Sequence, residues 1–157
     1  MTEFMFLVSK LFDASIPFLI VSICVSVLIY LFRDFRSAVL FLTTLLTSAI
    51  LVYVLKHIFN VMRPLDSVIS DEFGQSFPSY HAVSVTVFFG MLMYFFHDLL
   101  KTHWRVLFNT FCIIGILLVS FSRLYLGVHW FSDVFFGILL GAGISYLNIF
   151  CYKRNLW

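Results

Sequence analysis

The chain has 157 residues, 62% of them hydrophobic, 11% charged and 21 of them phenylalanine, a usage that excludes an ordinary soluble domain and points to a membrane protein. Its net charge of +2 comes from basic residues scattered singly, without the basic patch and interleaved aromatics that nucleic acid requires. No linker, low-complexity tract or repeat period divides residues 1–157, so a single domain is expected.

Residues 1 to 12 set Glu3 and Lys10 among Phe and Leu and are expected to form a short interfacial helix. No basic leader region or A-x-A-like cleavage site precedes the first apolar run, which is expected to be a retained helix. Five apolar segments follow, 14–32, 38–59, 79–97, 105–122 and 129–150. Each is near the ~20 residues that cross a hydrocarbon core of ~30 Å. The expected fold is therefore all-α, a polytopic membrane bundle of five transmembrane helices. Pro17 falls in the first turn of the first span, where its missing N–H costs least. Cys24, Cys112 and Cys151 lie in or beside apolar runs without CxxC spacing and read as small core residues.

Five spans place the two termini on opposite sides. One face then receives Arg33, Arg36, Lys101, Arg105, Lys153 and Arg154, and the other Lys10, Lys56, Arg63 and Arg123. The positive-inside rule assigns the first face to the cytoplasm and the second to the outside.

On that outer face stand polar residues that need a reason. Lys56 closes a long apolar or hydroxyl run and admits two readings, a lysine that snorkels to the interface or a functional cation. Arg63 lies seven residues on, two helical turns away and on the same face if the helix continues, and Pro64 ends or redirects the backbone after it. In the polar segment NVMRPLDSVISDEFGQSFPSYH, Pro78 and Ser79 mark a helix start. Ser79 is either an ordinary N-cap or a ligand contact, and the amides of Tyr80 and His81 would face an anion there. Arg123 ends the fourth span. His129 and Asp133 are four apart and expected on one face at the start of the fifth, where a carboxylate on one imidazole nitrogen would leave the other as base or nucleophile.

Three cations, a helix N-terminus and two histidines at one level describe a phosphate site. The cations would hold non-bridging oxygens, one histidine would attack phosphorus and the other would protonate the leaving oxygen. A metal site is disfavoured, because the cations would repel a divalent ion and no HExxH or paired carboxylates are present.

The stretches Lys56 to Pro64 (KHIFNVMRP), Pro78 to His81 (PSYH) and Ser122 to Asp133 (SRLYLGVHWFSD) resemble, in order and spacing, the three motifs of the type 2 phosphatidic acid phosphatase superfamily, in particular its bacterial membrane lipid phosphatases. The resemblance implies that His129 is a nucleophile forming a phosphohistidine, Asp133 its orienting partner and His81 the general acid. It further implies that Lys56, Arg63 and Arg123 clamp the phosphate, with Ser79 and the amide of Tyr80 adding donors, and that neither metal nor other cofactor is needed. The implied substrate is an envelope lipid that enters sideways from the outer leaflet of a bacterial cytoplasmic membrane, with the site on the periplasmic face. Undecaprenyl diphosphate, phosphatidylglycerophosphate, phosphatidic acid and lipid A 1-phosphate are the candidates.

Tyr80 departs from the family's glycine and is expected to trim the pocket or touch the substrate. Many bacterial members have six spans against the five expected here. Two other functions fit the same charges: a phosphotransferase passing the group to a second lipid, and a transporter that only binds a headgroup. Gly137 and Gly141 form a GxxxG expected to serve packing within the bundle, and the loop 65 to 77, with Asp66, Asp71 and Glu72, is expected to read the headgroup beyond the phosphate.

Overall fold

A computed structural model describes residues 1–11, 16–65 and 74–155. Among these residues the regular structure is all helical: α1 Thr2–Leu11, α2 Ile16–Phe32, α3 Phe35–Phe59, α4 Tyr80–Phe96, α5 Thr102–Tyr125 and α6 Phe131–Lys153. The segment expected at the interface forms a helix, α1, and the five apolar runs become α2 to α6. By length and composition α3, α5 and α6 are long and apolar enough to cross a membrane, whereas α2 and α4 are apolar helices of 17 residues. Asp66, Asp71, Glu72 and Trp157 lie outside the described residues.

Local chemistry sets the helix ends. Asp34 caps α3 by accepting the Ser37 amide at 2.7 Å. Asn60 ends the same helix in the left-handed region (φ 47°), its N–H returning to the Lys56 carbonyl at 2.9 Å. Arg63 is thus not a helical position two turns beyond Lys56; the helix has stopped, and residues 60–64 carry Arg63 in an irregular segment. Likewise α6 starts at Phe131, so His129 precedes the helix, and its approach to Asp133 comes from a turn and not from a shared helical face. Gly127 in that turn has φ 67°, which glycine adopts without strain.

Helix α4 is the axis of the bundle, buried almost all round from His81 to Phe89, which explains its lack of a polar stripe. It packs against α3, α5 and, most extensively, α6. Gly137 and Gly141 permit the last contact. A Cβ on Gly137 would meet Ala82 Cβ at 2.9 Å and the Ser79 carbonyl oxygen at 3.1 Å; one on Gly141 would meet the Val83 carbonyl oxygen at 2.8 Å. The GxxxG therefore serves packing inside the bundle, as expected. Large apolar side chains, among them Ile20, Leu46, Ile113 and Leu139, stay exposed on the outward faces of α2, α3, α5 and α6. Cys24 lies on that outer surface and is no core residue, whereas Cys112 is buried.

At one end of the bundle Arg33 donates to the Phe95 carbonyl at 2.9 and 2.7 Å and pairs with Asp98 at 3.7 Å, and Ser37 meets the Tyr152 hydroxyl at 3.2 Å. His81, His129, Lys56, Arg63 and Arg123 gather at the other.

Candidate active site

The N-termini of α4 and α6, the C-terminal turns of α3 and α5, and the segments between them build the site. The amide of Ser79, just ahead of α4, donates to the Asp133 carbonyl in the first turn of α6 at 3.1 Å, which ties the two helix starts together. Beside them runs the segment 74–79, pinned by the Ser76 amide to the Val61 carbonyl at 2.8 Å. Lys56 fastens the same segment: its Nζ donates to the Gln75 carbonyl and lies 3.4 Å from the Ser76 carbonyl.

Asp133, 1% exposed, organises the centre. Its Oδ2 accepts the Trp130 amide at 2.8 Å, the hydroxyl of Ser76, and a longer contact from His129 Nδ1 at 3.4 Å. Ser76 Oγ also stands 3.3 Å from that Nδ1. Because the single hydroxyl proton of Ser76 goes to the carboxylate, the Nδ1–H of His129 is shared between Ser76 and Asp133. The imidazole is thereby held as the tautomer with Nε2 unprotonated, and Nε2 faces Arg63 NH1 at 3.4 Å.

Arg63 is itself fixed from two sides, through Nε to the Gly74 carbonyl at 3.2 Å and through NH1 to the Val128 carbonyl at 2.9 Å. Arg123, 1% exposed, reaches the site from the last turn of α5 and donates through NH1 to the hydroxyl of Ser9. Burial pushes the pKa of His129 down from 6.5 to about 4, the neighbouring charges of Arg63, Arg123 and Lys56 push the same way, and the Asp133 hydrogen bond opposes them. His129 is therefore neutral in the unliganded site.

Ser79 is 0% exposed; its side chain makes no cap hydrogen bond, and its Oγ has no hydrogen-bond partner among the described residues. A buried hydroxyl without a partner costs free energy unless something fills the space before it. Of the two expectations for Ser79, the ordinary side-chain cap is not what forms. The amide of Tyr80 sits at the first position of α4, where no intrahelical acceptor precedes it. His81 is buried one residue further on and lies within electrostatic reach of Arg123, His129, Arg63 and Lys56.

The Tyr80 ring stands edge-on to His81, with centroids 6.2 Å apart, and it also lines an apolar groove of about 370 Å³ between α2 and α3, together with Phe18, Leu19, Leu42, Leu45 and Leu46. His57, adjacent to Lys56, turns away and contacts the Tyr53 carbonyl at 2.8 Å. The eight residues singled out from the sequence thus converge. Sequence reasoning missed Ser76 and Ser9. Ser76 is one of four serines in the segment 60–81, and only its place two residues ahead of Pro78 sets it apart.

A family model described as PAP2 superfamily matches residues 37–157. An undecaprenyl-diphosphatase of Sulfolobus acidocaldarius is 36% identical over 91 residues, 58% of this chain and 40% of that protein. Phosphatidylglycerophosphatase B of Bacillus subtilis is 30% identical over 121 residues, 75% of this chain and 59% of that one. The chain thus spans about half the length of these relatives. The crystal structure of a transmembrane PAP2-type phosphatidylglycerolphosphate phosphatase from Bacillus subtilis superposes with a TM-score of 0.88 at 25% identity, over 98% of this chain and 77% of that one. The Aquifex aeolicus LpxE structure shares the fold, with a TM-score of 0.72 at 21% identity over 94% of this chain and 84% of that one.

Proposed function

The chain belongs to the PAP2 superfamily and is a multi-pass membrane protein, and from that premise we propose that it is a lipid phosphatase acting through His129 without a metal ion. The observation that carries this reading is the two-sided restraint of His129: Nδ1 held by Asp133 and Ser76, Nε2 turned to Arg63, beside a Ser79 hydroxyl with no partner among the described residues. Binding alone does not require an oriented, neutral imidazole.

In the proposed reaction the phosphate enters among Arg63, Arg123, Ser79 Oγ and the Tyr80 amide, with Lys56 holding the segment 74–79 and adding positive charge. Nε2 of His129 attacks phosphorus as the bond to the lipid oxygen breaks, and His81 gives that oxygen its proton. Water then attacks the phosphohistidine, His81 takes its proton, the P–N bond breaks and inorganic phosphate leaves. The cations act on charge that grows on the non-bridging oxygens.

The substrate is proposed to be a phosphate monoester or diphosphate of an envelope lipid, a class supported by the names of the relatives, undecaprenyl-diphosphatase and phosphatidylglycerophosphatase. Its chain would lie in the groove between α2 and α3, with Tyr80 among the residues that line it. Five spans, α2 to α6, are supported by alternation: the Arg33 to Phe95 contact brings the end of α2 to the end of α4, and His81 and His129 lie at the opposite end. The charge bias of the loops supports placing the histidine end outside the cytoplasmic membrane.

The test is phosphate release by the purified protein in detergent, with undecaprenyl diphosphate, phosphatidylglycerophosphate, phosphatidic acid and lipid A 1-phosphate, in the presence of a chelator. Release that persists with chelator and disappears in His129→Ala is expected. No release from any of the four lipids would favour the headgroup transporter, and labelled phosphate recovered on a second lipid would identify a transferase.

A further inference from the structure

We propose that α1 is a working part of this phosphate site: Ser9 is a positioning residue that sets the orientation of the Arg123 guanidinium. The inference rests on Arg123 acting on the phosphate. Arg123 is the largest of the fully buried side chains, and Ser9, 114 positions away in sequence, accepts from its NH1 while only 3% exposed itself. A guanidinium is a rigid fork of five N–H donors, so in a buried setting its rotation follows the acceptors around it. Burying a serine on an otherwise apolar contact costs free energy unless its hydroxyl is used, and here it is used on a clamp cation.

The rest of α1 strengthens the link. Met5 packs with Leu126 and Val128, the residues of the turn between Arg123 and His129. That turn is closed by the Val128 amide on the Arg123 carbonyl at 3.3 Å, and the Val128 carbonyl in turn receives Arg63. One face of a ten-residue helix therefore braces both arginines and the backbone immediately before His129. Residues 37–157 carry the family match, so α1 supplies this brace from outside the matched region.

The experiment uses the full chain in phospholipid nanodiscs, with a long-chain lipid phosphate as substrate and inorganic phosphate as inhibitor. Ser9→Ala should lower kcat about tenfold, in line with loss of one hydrogen bond to a charged group, and weaken phosphate inhibition, with KM changed less than about twofold. Ser9→Thr, which keeps the acceptor, should restore most of kcat. In an Arg123→Lys background, where the fork is gone, Ser9→Ala should add little.

Unchanged kcat and phosphate inhibition in Ser9→Ala, beside a severe loss in Arg123→Ala, would overturn the role of α1 and leave the phosphatase reading standing. Equal losses in Ser9→Ala and Ser9→Thr, or full additivity with Arg123→Lys, would also overturn it by showing a merely structural contact. Full activity in Arg123→Ala would instead sink the clamp on which the inference rests.

Discussion

Ser76 donates its hydroxyl to Asp133 Oδ2 and holds its oxygen 3.3 Å from His129 Nδ1, so the residue that orients the histidine is itself oriented. Ser76→Ala should therefore lower kcat by about tenfold, the scale of one hydrogen bond to a carboxylate, with little change in KM. Because Ser76 acts partly through Asp133 and partly on His129 Nδ1 directly, the loss should be smaller, though not absent, in an Asp133→Asn background. Steady-state kinetics on the single and double variants checks this, and additive losses would mean that Ser76 works elsewhere.

Gly137 and Gly143 separate packing from helix propensity on one helix. A methyl at Gly137 would stand 2.9 Å from Ala82 Cβ and 3.1 Å from the Ser79 carbonyl oxygen, and nothing lies within 4 Å of the same atom at Gly143. Gly137→Ala is expected to destabilise by about 1–3 kcal/mol through overpacking and to reduce activity by shifting Ser79. Gly143→Ala should leave the unfolding temperature equal or slightly higher. Thermal unfolding in detergent reads both.

The pH behaviour of His129 follows from its surroundings. Burial and three neighbouring cations lower its folded pKa to about 4, below the 6.5 of an exposed histidine. Between these values the unfolded chain binds a proton that the folded chain does not. Stability from this group is therefore complete above pH 6.5 and falls as pH drops toward 4. NMR titration of histidine-labelled protein, with the signal assigned by His129→Gln, should show a neutral ring down to about pH 4. A midpoint near 6.5 would contradict the described environment.

How much of this was legible in sequence depended on whether the signal was local. Apolar runs announce helices, and the five runs became α2 to α6. The three stretches around Lys56, Ser79 and His129 carried enough fixed spacing to single out eight candidate residues. What spacing could not convey was where helices stop. Asn60 turns left-handed and frees Arg63 from the helical face, and the turn at Gly127 keeps His129 outside α6. Ser9 and Ser76 were unreadable for another reason: a serine is an ordinary residue in a polar loop or a short helix, and only the fold brings these two to Arg123 and Asp133.

Tyr80 links the groove between α2 and α3 to His81. Tyr80→Gly should enlarge the groove, and the ratio of kcat/KM between a long polyprenyl diphosphate and a short-chain analogue should shift. An unaltered ratio across the lipid panel would remove Tyr80 from substrate selection.

Sidedness is testable at Leu65, 98% exposed beside Arg63 and Pro64. In a background without Cys24, Cys112 and Cys151, Leu65→Cys should react with an impermeant thiol reagent added to intact cells. Reaction only after the membrane is opened would reverse the proposed topology.

His129 is proposed to carry the phosphate between lipid and water. The most direct measurement is a rapid alkaline quench of the protein turning over a lipid phosphate, followed by peptide mass spectrometry, since a phosphohistidine survives base. Phosphate on His129, absent in His129→Ala, is the expected result; phosphate on another residue, or undiminished turnover by His129→Ala, would contradict it.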